Sequence, residues 1–310
     1  MNHKASSLFR DSLRARSEFL GAIRRYFLQE DVLEVETPLL RFFTASDPNV
    51  ESISVPHTQH LQQPQFLQTS PEATLKSMLA LGSGSIFQLA KVFRDDPAGR
   101  WHKQEFTMLE WYRVGYSLDS LMADVMGLLA AIGNRSYSVE TISYRQLFIQ
   151  QLSVDPFSAT IEELKGKAMD SIDTNFESAH KDDWLDLLFT HRVQHTLGLE
   201  APVFVVDYPP SQASLSATAQ DKTGEKVAKR AELYWRGIEL ANAYQELVDC
   251  NEFERRYQQD IQARQAANKL EPAIDQDLLE AMRSGLPVCS GVALGVDRLF
   301  ALLSDFEGIV

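Results

Sequence analysis

Apolar positions recur at helical spacing in residues 14–30, where Leu20, Ile23 and Phe27 form one stripe and Arg24, Arg25 and Glu30 lie off it. That spacing predicts an amphipathic helix. A short strand follows over 32–37, ended by Pro38. Residues 41–66 are polar, aromatic and irregular, and predict loops with short strands. A helix is expected over 71–81, with Ser70 as its cap and Glu72 in its first turn. Residues 86–94 and 105–112 are strand-like, and the polar stretch between them contains Pro97 and Gly99, which predicts a long-looped antiparallel hairpin. Further on, the pattern predicts helices over 119–132 and 183–197, a buried strand over 203–208 and a strand over 233–240. A charged helix over 252–269 and a glycine-punctuated strand over 286–295, running into a helix over 296–303, complete the chain. Neither an internal repeat nor a low-complexity linker interrupts it, so residues 1–310 are expected to form one α+β domain, helices beside a mainly antiparallel sheet.

Three clusters carry candidate chemistry. Alternation on the second hairpin strand puts Phe106, Met108, Glu110 and Tyr112 on one face and Glu105, Thr107, Leu109 and Trp111 on the other. Arg94 ends the partner strand, and the loop adds Arg100, His102 and Lys103. Cations at the mouth and carboxylates further along suit a phosphate donor beside a cationic substrate. In the second cluster Glu239, Asn242 and Glu246 stand at i, i+3 and i+7. A straight strand sends the two glutamates to opposite faces; they converge only if the chain turns helical or bends near Ala241. Paired carboxylates can hold Mg²⁺ or bind an ammonium group. Taken alone, either cluster also fits a solvated charged surface. In the third, Gly291 and Gly295 precede a helix whose first turn contains Arg298, where the helix dipole does not favour a cation. An arginine there implies that an anion is expected.

Composition narrows the reading only a little. The 310 residues are 44% hydrophobic and 24% charged, an ordinary globular balance, with a formal net charge of −13. That charge argues mildly against a polyanion and favours a basic protein partner or a cationic small substrate. Cys250 and Cys289 form no CxxC pair and are expected to be reduced thiols. No signal-peptide core or membrane-length apolar run is present, so the protein is expected to be cytoplasmic, without membrane contact.

The clusters join into a pattern. Residues 32–38, then Phe93-Arg94 with Glu105-Phe106 and Tyr112, then Gly291, Gly295 and Arg298 resemble, in order, motifs 1, 2 and 3 of the class II aminoacyl-tRNA synthetases. Thr69-Ser70-Pro71-Glu72, the His102 to Glu110 stretch and Glu239, Asn242 and Glu246 are similar to the lysyl branch. Ser211-Gln212-Ala213-Ser214-Leu215 and the Cys289 to Gly295 stretch resemble the lysyl paralogues that modify elongation factor P. Lysyl-tRNA synthetases have glycine where Ala293 stands.

The resemblance implies an ATP- and Mg²⁺-dependent ligase forming an aminoacyl adenylate, with Arg94, Glu239 and Arg298 as its catalytic residues. Arg94 would neutralise the α-phosphate, Phe106 and Arg298 would sandwich the adenine, and Glu239, with Glu246 as a second candidate ligand, would hold the metal. Asp95, Asp96, His102, Lys103, Leu240 and Gly295 would complete the nucleotide site. Glu72, with Ser70 and Pro71, would bind the near amino group of the substrate. Glu246, Tyr112 and Asn242 would bind the far one, with Glu110 and Ala293 beside them. The implied substrate is (R)-β-lysine or lysine, the acceptor a lysine of elongation factor P, and the assembly a homodimer built on motif 1.

Departures from the family pattern are local. Arg94-Asp95-Asp96 stands for the usual Arg-Asn-Glu, shortening the last side chain by one C–C bond, about 1.5 Å. His102-Lys103-Gln104 stands for His-Asn-Pro, so an ATP contact is lost or passes to Lys103. Motif 1 begins so early that no anticodon-binding domain is expected ahead of it, which implies no productive tRNA binding, and the chain past motif 3 is expected to be short. Two other readings fit the same motifs: a non-catalytic synthetase-like regulatory paralogue, and a minimal ligase for another acceptor, including tRNA.

Overall fold

The hairpin predicted around residues 86–112 forms two neighbouring strands near one edge of the sheet on which the molecule is built. The structure, a computed structural model, describes residues 3–56, 63–173 and 175–304. Helix α1 (His3–Gln29) leads into the short strand β1 (Leu33–Glu34). Strands β2 (Leu40–Arg41), β3 (Ser54–Val55) and β4 (Gln65–Leu67) make a small separate sheet in the order β2-β4-β3. Helix α2 (Glu72–Ala80), strands β5 (Ile86–Phe93) and β6 (Glu105–Val114), and helix α3 (Leu118–Gly133) follow. Strand β7 (Glu140–Ser143) and helices α4 (Tyr144–Leu152), α5 (Ile161–Met169) and α6 (Lys181–Leu188) come next. The last third holds β8 (Val203–Tyr208), β9 (Thr218–Gln220), β10 (Lys226–Trp235), β11 (Ile238–Gln245), α7 (Cys250–Ala266), α8 (Gln276–Gly285), β12 (Cys289–Gly295) and α9 (Val296–Leu303).

The main sheet runs β1-β5-β6-β12-β11-β10-β8-β7, with β9 added on β10. Its interior is antiparallel, and only the outer pairs β1/β5 and β7/β8 are parallel. One face is closed by α1, α3 and α9 over a core that includes Ile23, Phe27, Leu109, Trp111, Leu128, Leu233, Leu294 and Leu299. A second core under α4 and α6 packs Tyr144, Phe148, Trp184 and Leu188 against Val203 and Val205 of β8. On the opposite face, α2 covers only the end of the hairpin, through Leu75 and Leu79 on Ile86 and Tyr112. The rest of that face carries the polar rows of the site, a small apolar cluster of Ala90, Val92 and Met108, and, towards β8, the second core.

Two predicted elements differ from the structure. The strand expected over 233–240 is the end of β10 and the start of β11, joined by a turn in which Arg236 and Gly237 both have positive φ (52° and 73°). The helix expected over 183–197 is α6 followed by a π turn, Phe189–Val193, and a 3₁₀ turn, Gln194–Thr196. At the start of α2, Ser70 Oγ accepts from the Glu72 backbone N–H at 3.1 Å, but the cap position itself is Pro71. Residues 305–310, where a short C-terminus was expected, lie outside the described residues. Among the described residues no helix is long and apolar enough to cross a membrane.

Candidate active site

Strand register decides which side chains meet on the open face, because directly opposed residues share a side of the sheet. One row crosses five strands: Gln88 of β5, Glu110 of β6, Ala293 of β12, Asn242 of β11 and Glu232 of β10. The next row is Ile86, Tyr112, Gly291, Tyr244 and Arg230. The face predicted for Phe106, Glu110 and Tyr112 is therefore the open one, while Leu109 and Trp111 enter the core behind it.

Glu239 joins Asn242 and Glu246 through a bulge. Leu233 of β10 pairs with Ala241, but the next residue, Tyr234, pairs with Glu239, so β11 carries one extra residue at Leu240. The extra residue cancels the odd spacing and brings Glu239 onto the face of Asn242. Leu240 itself turns into the core, so its side chain does not reach the site where it was expected to contribute to nucleotide binding.

One end of the open face is built from buried carboxylates. Glu110 is 2% exposed and Glu246 3%. Glu110 accepts from Ser70 Oγ at 2.6 Å and from the Tyr112 hydroxyl at 2.7 Å. Between Glu72 and Glu246 lies Lys76, itself buried, with its Nζ 2.6 Å from Glu72 Oε1 and 2.7 Å from Glu246 Oε2. Burial pushes the Glu110 carboxyl up to about 8, reinforced by the charge of Glu72. Burial likewise raises Glu246 to about 7, against the opposing pull of Lys76. For Lys76, burial disfavours the ammonium, but Glu246 and Glu72 outweigh it and hold the pKa above the ordinary lysine value. Gly291 closes the floor of the pocket. A Cβ there would lie 2.3 Å from the Tyr112 ring and 2.5 Å from Glu246 Oε1, so the position has no room for a side chain. Asn242 donates to the Tyr244 hydroxyl at 3.1 Å, and its buried Oδ1 has no partner among the described residues. That oxygen is an acceptor suited to an incoming ammonium.

The other end is cationic and aromatic. The Arg94 guanidinium lies 5.5 Å from the centre of the Phe106 ring. Arg298, in the first turn of α9, escapes the unfavourable helix dipole by bonding to carbonyls: Trp101 O at 3.1 Å and Glu239 O at 2.9 Å. Its other nitrogen contacts His102 Nε2 at 2.9 Å. Burial first, then the Arg298 charge, lowers the His102 pKa. Glu239 is half-buried within the field of Arg94 and Arg298, and its pKa is raised by burial and then by Glu232.

Comparison with known proteins identifies the family of the chain. The family model for class II tRNA synthetases (D, K and N) matches residues 3–310. The chain belongs to the class II tRNA synthetase family. It is 42% identical over 305 residues to a protein of Edwardsiella ictaluri (strain 93-146) named elongation factor P–(R)-β-lysine ligase, covering 96% of this chain and 92% of that one. A Salmonella typhi protein of the same name is 40% identical over 305 residues, with the same shares covered.

Most of the expected synthetase residues thus fall into two adjoining groups: Ser70, Glu72, Glu110, Tyr112, Asn242, Glu246 and Ala293 at one end, Arg94, His102, Phe106, Glu239, Gly295 and Arg298 at the other. Pro71 is buried at the start of α2, and Asp96 lies half-buried within the field of His102. Asp95 and Lys103 are exposed on the loop, where Asp95 accepts from Gln104 at 2.9 Å. Of the two carboxylates expected to share a metal, Glu246 instead pairs through one oxygen, Oε2, with Lys76. Among the described residues no group of three or more His, Cys, Asp or Glu side chains is arranged to hold a metal. Lys76 is the residue that sequence reasoning missed. Its only signal was the i,i+4 spacing from Glu72, which on a helix normally marks a surface ion pair.

Glu110 makes stability depend on pH. Its folded pKa of about 8 lies above the ordinary 4.5, so the folded protein keeps a proton that the unfolded chain releases. The associated stabilisation is complete below the ordinary value and is lost as pH rises through about 8. The stability of the ligand-free protein, and its thermal midpoint with it, should fall between about pH 5 and pH 8, by up to roughly 1.4 kcal/mol per pH unit for this proton. Glu110→Gln should flatten that fall; equal slopes for variant and wild type in thermal-shift measurements would remove Glu110 as its source.

Proposed function

We propose that the chain is an ATP-dependent ligase that activates a diamino acid as its adenylate and joins it to an amine of elongation factor P. The observation that carries this reading is the juxtaposition, on one sheet face, of the Glu72, Glu110 and Glu246 carboxylates with Arg94, Phe106 and Arg298. One end suits two ammonium groups and the other a nucleotide. The names of the relatives support (R)-β-lysine as the diamino acid and elongation factor P as the acceptor.

Phe106 and Arg298 hold the adenine between a ring and a guanidinium, and Arg94 meets the phosphate charge. Glu72 takes the near ammonium, and Glu246 with Asn242 takes the far one, which directs the substrate carboxylate toward the phosphates. A carboxylate oxygen attacks the α-phosphorus, and pyrophosphate leaves. The neutral amine of the acceptor then attacks the adenylate carbonyl; AMP leaves, an amide forms, and the amine nitrogen gives up a proton. Positioning and fixed charge supply most of the acceleration. For Mg²⁺, Glu239 is the fitting ligand, since its carboxylate stands at the end of the site where the phosphates would lie and is not tied to Lys76. Bound there, the ion would neutralise phosphate charge, as Mg²⁺ does through one or two carboxylates and substrate oxygens. The net charge of −13 supports a protein acceptor over tRNA.

Pyrophosphate exchange with purified protein should depend on β-lysine or lysine, and mass spectrometry should find elongation factor P heavier by one β-lysyl group after incubation with ATP and β-lysine. Charged tRNA beside an unmodified factor would overturn the reading.

Ala293 stands between Glu110 and Asn242, where a methyl group narrows the pocket. Ala293→Gly should improve the use of α-lysine relative to β-lysine by about 1–3 kcal/mol. An unchanged ratio of kcat/KM values would reject this role.

A homodimer belongs to the same proposal. Leu33, Leu39, Leu40 and Phe42 are 58%, 42%, 39% and 53% exposed along the segment that follows α1, and β1 is the edge strand of the main sheet. An apolar strip at an open sheet edge invites a second copy of the chain. Equilibrium sedimentation at micromolar concentration should give twice the mass of the chain; an ideal monomer would refute the dimer.

A further inference from the structure

We propose that Arg16 of α1 is a positioning residue for the nucleotide, acting through Asp297 to fix the gap between Phe106 and Arg298. The inference rests on the reading of Phe106 and Arg298 as the two sides of the adenine site.

Arg16 is the point at which three separate segments of the chain meet. Its guanidinium forms an ion pair with Asp297 Oδ1 at the start of α9. The same group reaches the Val296 carbonyl at 3.4 Å and Thr107 Oγ1 of β6 at 3.4 Å. The second carboxylate oxygen of Asp297 accepts the backbone N–H of Thr107 at 2.7 Å. Asp297 therefore ties α9 directly to β6, and Arg16 holds Asp297 in the orientation that does so. Each end of this tie is one residue away from the nucleotide site: Thr107 follows Phe106, and Asp297 precedes Arg298.

Packing holds the arginine in place. Its guanidinium lies 5.1 Å from the centre of the Phe300 ring and 5.9 Å from that of Phe19, and the two rings meet edge to face at 5.2 Å. Arg16 is 24% exposed at its side chain and Asp297 16%, so the pair is largely shielded from solvent. A carboxylate at the start of a helix is also favoured by the helix dipole, which is the reverse of the situation of its neighbour Arg298. Asp297 is thus strongly held, and what it holds is the spacing between β6 and α9.

The spacing matters because neither side of the adenine site is fixed by the adenine itself. Phe106 is the second residue of β6, beside a long loop, and Arg298 is anchored by the carbonyls of Trp101 and Glu239. A stacking gap that opens by an ångström loses up to about half of its contact energy. Loss of Arg16 should therefore weaken ATP and spare the ammonium pocket, which is built from α2, β6, β11 and β12 and whose carboxylates, among the described residues, are bonded to Ser70, Lys76 and Tyr112 rather than to α1.

The test uses the full-length protein and two titrations, ATP binding by calorimetry and pyrophosphate exchange against the diamino acid. Arg16→Met should weaken ATP about tenfold or more while leaving the KM for the diamino acid within about twofold. Arg16→Lys, which keeps the charge but not the fork, should fall between Arg16→Met and wild type. Asp297→Asn should reproduce the ATP defect, and the double variant should be little worse than Asp297→Asn alone, because both act through one contact. If Arg16→Met does not fold, Asp297→Asn decides alone. ATP binding at the wild-type level, or losses of ATP and amino-acid affinity that move together with the melting temperature, would overturn the proposal. Wild-type protein that neither binds ATP nor exchanges pyrophosphate would instead overturn the ligase reading itself.

Discussion

The whole site depends on keeping three carboxylates, Glu72, Glu110 and Glu246, against one side of a sheet without unfolding it. A buried charge without a partner is costly, and breaking a buried pair costs about 3–5 kcal/mol. Lys76 meets this constraint by placing one ammonium between Glu72 and Glu246. Its placement follows from helix geometry: one turn of α2 separates Glu72 from Lys76, so both side chains lie on the side of the helix that faces the sheet. The same constraint requires the bare floor at Gly291, since any side chain there would displace Tyr112 and Glu246 together. Glu110 is accommodated differently, by donors from Ser70 and Tyr112 and by retaining a proton.

Much of this was legible in the sequence where local pattern and tertiary structure agree. The alternation in β6 assigned Phe106, Glu110 and Tyr112 to one face because a strand allows no other arrangement. The requirement for a bend between Glu239 and Glu246 was readable from parity, and the bulge at Leu240 supplies it. The turn at Arg236-Gly237 was not readable, because a two-residue hairpin turn usually announces itself with Asn, Asp or Gly at its first position, and arginine there suggests a continuing strand. The 183–197 helix was overcalled for a related reason: its apolar spacing is helical throughout, while tertiary packing shifts the hydrogen bonding into π and 3₁₀ turns. Lys76 and Arg16 escaped because each is defined by a partner far away in the chain. A lysine four residues after a glutamate looks like a solvated helix surface, and an arginine in line with Leu20, Ile23 and Phe27 looks like the end of the apolar stripe, until the fold brings Glu246 or Asp297 against them.

The two ends of the site are also one rigid object. In the proposed reading, strand β6 carries Phe106 for the nucleotide and Glu110 and Tyr112 for the ammonium end; β11 carries Glu239 and Asn242; β12 carries Gly295 and Ala293. Along an extended strand, four residues span about 13 Å, so the distance from the adenine side to the carboxylates is set by strand rise and not by loops. The register between β6, β12 and β11 then sets the lateral positions. A slip of one residue would turn Glu110 or Asn242 into the core and bring Leu109 or Ala243 onto the open face. On the proposed reading, substrate length is therefore measured by the sheet itself. The loops and helices decide what is held at each end, and the antiparallel ladder decides how far apart the ends are.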